Sequence, residues 1–203
     1  MHRGHLAIAD ALVDQFSLDE FVFIPAFHAP HKLRKRPTSS HDRFAMLCLA
    51  TNEKDFVAVS KMEIDAPDRP FTVETLQTLN DRLADTRIFF VMGADSWADI
   101  TTWREWERVL LLSDHIVVTR PGSEIGFDHV TDDVRRRIID LRGGLRPAEI
   151  TAAGTNAIFI TDTVNVDVSA TDIRSRIRAN EVSWRDDVTI EVAKHIEKYQ
   201  IYS

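Results

Sequence analysis

Arg87-Ile88-Phe89-Phe90-Val91-Met92-Gly93-Ala94-Asp95-Ser96 is the stretch that decides the fold. From Ile88 to Met92 the run is apolar without the alternation of a strand wetted on one face, which is the pattern of a strand buried on both faces in a parallel sheet. Such sheets bind their ligands at the carboxyl ends of the strands, so Gly93 and Asp95 stand at a natural site for chemistry. A carboxylate there can accept from ribose hydroxyls or meet Mg²⁺.

Working outward, the same alternation continues on both sides. A helical stretch runs from Ser96 to about residue 112, and a second buried strand over 115–119 closes at Arg120-Pro121-Gly122. Upstream, 72–83 reads as a helix with Val73, Leu76 and Leu79 on one face, and 56–64 as a strand. An amphipathic helix over 41–52 follows a proline-bearing loop, 26–40, that carries Lys32, Arg34, Lys35 and Arg36. Before it, Leu6, Ile8, Ala9, Leu12, Val13 and Phe16 recur at helical spacing, and 20–25 is a short apolar strand ended by Pro25. Downstream, 128–144 reads as a charged helix and its connection, 157–161 as a strand and 164–168 as another. Ser169 and Thr171 offer N-cap hydroxyls to a helix reaching about 180, and a last amphipathic helix spans 187–199. Strands alternating with helices predict a doubly wound α/β domain with a mostly parallel sheet.

The bulk properties narrow the function. The 203 residues are 44% hydrophobic and 28% charged, which suits one large globular domain or two small ones. A formal charge of −7 argues against binding a nucleic acid across the whole surface, while local basic clusters remain able to hold small phosphates. The one cysteine, Cys48, lies in an apolar run and reads as core. It permits no internal disulfide and suggests a cytoplasmic setting. No run approaches the roughly 18 apolar residues of a membrane span, so no membrane partner is expected. Nothing in the sequence sets the oligomeric state, and a homo-oligomer stays open.

Met1-His2-Arg3-Gly4-His5-Leu6 opens the first helix with two imidazoles three residues apart, which places both on one face. A helix start presents unpaired N–H groups and the positive end of the macrodipole, a good place for a phosphate. Two surface histidines are the plain alternative. A zinc site with His28 and His31 is another, weakened by Pro30 inside the second pair. Lys32 supplies mobile charge or merely a solvated loop, and Arg120 follows a buried strand directly. Trp103 and Trp106 are core aromatics by default, though one near a strand end could stack on a flat ring. Neither a G-x-x-x-x-G-K-[ST] loop nor a G-x-G-x-x-G fingerprint occurs, so any nucleotide must be held by another cradle.

In order and spacing, His2-Arg3-Gly4-His5-Leu6, Pro30-His31-Lys32, Phe71-Thr72-Val73-Glu74-Thr75-Leu76, Gly93-Ala94-Asp95-Ser96, Thr102-Trp103, Arg120-Pro121-Gly122 and Val168-Ser169-Ala170-Thr171-Asp172-Ile173-Arg174 form one set. The set resembles, nearly end to end, the bacterial nicotinate-mononucleotide adenylyltransferases of the HxGH nucleotidyltransferase superfamily. The resemblance implies a single Rossmann-like domain over 1–203 with a C-terminal helical part at 169–203. It implies adenylyl transfer from ATP, with Mg²⁺, to nicotinate mononucleotide, giving nicotinate adenine dinucleotide and pyrophosphate in NAD biosynthesis, with no resident metal. By the same likeness His2 and His5 bind the ATP phosphates, assisted by Lys32 and Arg120. Gly93, Asp95, Ser169, Thr171 and Arg174 receive the nucleotide, Trp103 stacks on the pyridine ring, and backbone N–H groups at Thr72 and Arg104 hold the nicotinate carboxylate.

Three departures stand out. Arg104 replaces a usual aromatic residue, Ala170 replaces a usual serine, and the family's first strand with its G-G-[TS]-F-D-P loop is expected just before Met1. That last point leads us to expect an internal methionine read as a start. The alternatives are a shortened, impaired nucleotide-binding chain, or an adenylyltransferase acting on nicotinamide mononucleotide or pantetheine phosphate. The Thr72 and Trp103 segments argue against pantetheine phosphate.

Overall fold

The computed structural model describes residues 1–26, 38–68, 70–119, 124–144, 150, 153–164 and 168–202. The chain forms two compact units, Met1–Arg69 with Val166–Ser203, and Pro70–Asn165.

In the first unit, helix α1 (Arg3–Phe16) buries Ala9, Leu12 and Phe16, the stripe its sequence spacing predicts. It ends where Ser17 turns left-handed and returns its N–H to Val13. Strand β1 (Phe21–Phe23) pairs in parallel with β2 (Val57–Val59), Phe21 opposite Val57. Between them lies α2 (Ser40–Thr51), capped by Ser39. The strand expected over 56–64 is shorter than that, because the chain turns at Lys61–Asp65 and buries Ile64 there. Met46 of α2 joins Ile173 of α7 (Ala170–Arg178), Trp184, and Val192 and Ile196 of α8 (Ile190–Lys198) in one core. Cys48, expected in that core, is only half-buried beside it, on a turn of α2 where Met46 and Leu47 take the inner positions.

The second unit is a four-stranded parallel sheet in the order β3-β4-β6-β5. Strand β3 (Phe89–Gly93) is the edge, followed inward by β4 (Asp114–Val118) and β6 (Ile158–Thr161), with β5 (Ile138–Asp140) on the far side. Ile116, Val117, Ile158, Phe159 and Ile160 on the inner strands are fully enclosed. Buried Asp114 ties the strand starts together, accepting from Arg87 Nε at 2.5 Å and from the Ala157 N–H at 2.7 Å. The deciding run Phe89–Val91, expected to be buried on both faces, is half-buried instead, because among the described residues β3 pairs on one side only.

Two other expectations are corrected. The charged helix over 128–144 is a single turn, α6 (Asp132–Arg135), started by the Thr131 hydroxyl. After it the chain extends into β5, whose Ile138 and Ile139 pair with Ile158 and Phe159. The helix expected over 96–112 is broken into α4 (Ala94–Ala98), a 3₁₀ turn at Ile100–Thr102, and α5 (Trp106–Leu112). Its break is at Trp103, which is extended, and Glu105, whose φ of 49° is left-handed. Helix α3 (Thr72–Arg82) forms as the spacing predicts and packs Val73 and Leu76 against Val109 of α5. Val164 and Val168 lie outside any strand, and the rest of the strand expected over 164–168, residues 165–167, falls outside the described residues. No helix among the described residues is long and apolar enough to cross a membrane.

Candidate functional site

The first unit supplies one group of candidate residues. His2 is the N-cap of α1 in extended conformation, and its carbonyl accepts the His5 N–H at 3.0 Å. One helical turn therefore brings the two rings together, with centroids 3.8 Å apart and planes tilted by 47°. Both Nδ1 atoms are buried, and neither has a hydrogen-bond partner among the described residues. Burial, then the charges of His5 and of the terminal amino group, push His2 down to about 3. Burial, followed by the terminal amino group, pushes His5 down to about 4 against the hydrogen bond to His2. At neutral pH both imidazoles are thus uncharged, each with one N–H to donate and one lone pair.

The surroundings of the pair are cationic. The Met1 amino group is pushed down to about 6 by burial and by the charges of Arg174 and Arg43, so both guanidiniums act on this end of α1. Arg43 has no role in the sequence reading. Its signal was available as a cation on the first turns of α2, directly after the basic loop, and it donates to the Thr38 and Ala26 carbonyls. Arg174 donates to the Ala170 carbonyl at 2.7 Å and lies over the Tyr202 ring. Ser169 serves as the N-cap of α7, accepting from the Thr171 N–H at 3.3 Å, and both residues are exposed.

The second unit supplies another group. Gly93 and Asp95 sit exposed at the carboxyl end of β3 and the start of α4. A Cβ added to Gly93 would meet no heavy atom within 4 Å, so nothing in the fold itself calls for glycine there. The break before α5 brings Trp103 and Arg104 out of any helix. Trp103 packs edge-on against Phe90 of β3, with centroids 6.1 Å apart, and keeps part of its indole in solvent. Arg104 reaches the start of α3, where it pairs with Glu74 at 3.2 Å above the Phe71 ring. Thr72 is the first residue of that helix, so the structure brings the Thr72 and Arg104 segments together. Glu74 and Phe71 were quoted for the family likeness and not singled out. Their signal was the Phe-x-x-Glu spacing that lets Glu74 accept the Phe71 N–H.

Lys32, Arg120, His28 and His31 lie outside the described residues. Among the described residues no group of three or more His, Cys, Asp or Glu side chains is placed to hold a metal ion.

Chemically, then, the chain has paired neutral imidazoles in a cationic surround, a glycine opening at a strand end, and an aromatic and guanidinium pair at a helix start. Comparison with known proteins places the chain in a family. Residues 1–176 match the cytidylyltransferase-like family. A "Probable nicotinate-nucleotide adenylyltransferase" of Desulfitobacterium hafniense (strain Y51) is 31% identical over 100% of this chain and 90% of its own length. One of the same name from Thermoanaerobacter sp. (strain X514) is 29% identical over 100% of this chain and 89% of its own length. Among solved structures, Plasmodium falciparum nicotinic acid mononucleotide adenylyltransferase complexed with NaAD aligns at a TM-score of 0.72 and 15% identity, covering 100% of this chain and 91% of that one. At that identity the likeness is one of fold.

Proposed function

Because this chain belongs to the cytidylyltransferase-like family, we propose that it is a nicotinate-nucleotide adenylyltransferase. The observation that carries the proposal is the close, neutral His2 and His5 pair, whose buried Nδ1 atoms have no partner among the described residues at the start of α1.

A phosphate oxygen of nicotinate mononucleotide attacks the α-phosphorus of ATP. The new P–O bond forms as the bond to the β-phosphate oxygen breaks, and pyrophosphate leaves with its electron pair. The protein's work is to hold the two substrates in line and to meet the charge that builds on the phosphoryl oxygens. His2 and His5 donate N–H groups to those oxygens, and the nearby charges of Arg43 and Arg174 deepen the attraction. Triphosphate binding also favours the charged imidazoles, so it raises the pKa of both rings from their depressed values. Lys32 and Arg120 extend the phosphate site. Ser169 and Thr171 hold the far phosphates at the start of α7. Gly93 and Asp95 take the ribose region, where the open space at Gly93 admits a ligand. Mg²⁺ enters with ATP, as part of the substrate. Residues 1–203 act as one nucleotidyltransferase domain.

Trp103 stacks on the pyridine ring, and the Thr72 and Arg104 backbone N–H groups face its carboxylate. A carboxamide brings its own NH₂ donor to those donors, so the acid is preferred. The test is pyrophosphate release by the protein as its gene encodes it, with MgATP and either nicotinate or nicotinamide mononucleotide. Fast release with the acid is expected. Release with neither mononucleotide would sink the proposal.

A further inference from the structure

Arg104 stands where the family resemblance leads to an aromatic residue, and its side chain is not idle. At the break before α5 it crosses to the start of α3, with Nη1 3.2 Å from Glu74 Oε1 and the guanidinium carbon 4.9 Å from the centre of the Phe71 ring. Its Nε lies 3.9 Å from Glu105 Oε1. Glu74 has a second commitment, because its other oxygen accepts the Phe71 N–H and fastens the first turn of α3. The Thr72 N–H beside it has no partner among the described residues.

The fold has little need of this cation. Its side chain is 53% exposed, and an ion pair in water contributes little to folding. Phe71 remains 43% exposed beneath it, an aromatic face kept at the surface by the helix start. Nor is the guanidinium used up by the two glutamates. It offers five donors in one plane, and a carboxylate arriving edge-on can take two of them at once. Glu74 is 44% exposed and keeps its bond to Phe71, so water can solvate its carboxylate when Arg104 turns to a second one. Trp103, the preceding residue, packs its indole on Phe90 and on the Val73 and Leu76 side of α3, so both side chains reach the same helix.

Resting on the adenylyltransferase reading, we propose that Arg104 is a specificity-determining residue: its guanidinium, steered by Glu74 and Phe71, pairs with the carboxylate on the pyridine ring and sets the preference for the acid over the amide mononucleotide. The backbone N–H groups are common to any residue placed here. The guanidinium is what Arg104 adds to them.

The experiment is steady-state kinetics of Arg104→Gln, Arg104→Lys and Glu74→Gln against the parent protein, with both mononucleotides at saturating MgATP. For Arg104→Gln, kcat/KM on the acid should fall about tenfold or more, chiefly through KM, with the amide within about twofold, as expected when a charged hydrogen bond made in ground and transition states alike is removed. Arg104→Lys should recover part of the acid preference by keeping the charge without the planar fork. Glu74→Gln should lower the acid preference part of the way, because the guanidinium loses its steering partner while Gln can still accept the Phe71 N–H. Thermal midpoints of the Arg104 variants should stay with the parent, since the side chain is exposed. An acid-to-amide ratio unchanged in Arg104→Gln, or an equal loss on both substrates, overturns the inference while parent turnover keeps the enzymatic reading. Absence of adenylyl transfer by the parent on either mononucleotide overturns both.

Discussion

Helices α2, α6, α7 and α8 each open on a serine or threonine whose hydroxyl accepts a backbone N–H of the first turn. Helices α1, α3, α4 and α5 open on His2, Phe71, Gly93 and Glu105, and no hydroxyl does the same for them. The division follows the candidate site closely. Uncapped starts carry His2 and His5, Thr72, Gly93 and Asp95, and the Trp103 and Arg104 break. A capped start has satisfied one of its orphan donors with its own side chain. An uncapped one leaves those donors for a ligand, at some cost in stability. Helix α7 is the exception among the proposed phosphate binders, since Ser169 already serves as its cap.

The comparison breaks most visibly at α1. Replacing His5 or His2 by alanine should lower kcat by about 10²- to 10³-fold, the loss typical of one transition-state donor. The folded state should be no less stable at neutral pH, because a buried ring nitrogen without a partner is removed. A kinetic assay beside a denaturant titration separates the two effects.

His115 sharpens the contrast as an imidazole whose Nε2, not Nδ1, lacks a partner among the described residues, and which has no role at a helix start. It is fully enclosed on β4, and its Nδ1 donates to the Ser113 carbonyl. Burial pushes it down to about 4 from an ordinary value of 6.5. Between those values the unfolded chain takes a proton that the folded chain refuses. Its contribution is therefore intact above about 6.5 and is lost as the pH falls toward 4, by an amount on the order of 3 kcal/mol. Urea unfolding of His115→Leu from pH 7 to pH 4 should show a correspondingly shallower acid slope than the parent.

At a capped start the effect reverses in kind. Thr189→Ala should cost about 1 kcal/mol in stability and leave turnover unchanged. The smallest structural effect belongs to Gly93→Ala, where nothing crowds the new methyl group and φ is an ordinary −81°. Stability should move by about 0.5 kcal/mol or less, as at surface positions. KM for ATP should rise, which steady-state kinetics will show.

Much of the fold was legible from spacing. The stripe of α1, the apolar run of β4 and the Thr72 helix each follow a period that packing then enforces. What was not legible depended on contacts remote in sequence. Ile138 and Ile139 form a strand because β6 lies beside them, and nothing local distinguishes them from the charged helix predicted there. The helix over 96–112 breaks at Glu105, which takes a left-handed backbone without a glycine to announce it. Phe89–Val91 is half-buried because pairing on its outer edge is lacking among the described residues, a matter of sheet order and not of the run itself. For the site, His2 and His5 were visible as a spacing, while their neutrality came from burial that no spacing contains. Arg104 was visible only as an oddity until Glu74 and Phe71 were found around it.

The most direct measurement is chromatographic quantitation of the dinucleotide formed from MgATP and nicotinate mononucleotide by the parent protein and by the His2→Ala and His5→Ala variants. We expect nicotinate adenine dinucleotide and pyrophosphate in equal amounts from the parent, and a rate at least about a hundredfold lower from either variant. Product formed at the parental rate by both variants would contradict the assignment of phosphate binding to the uncapped start of α1.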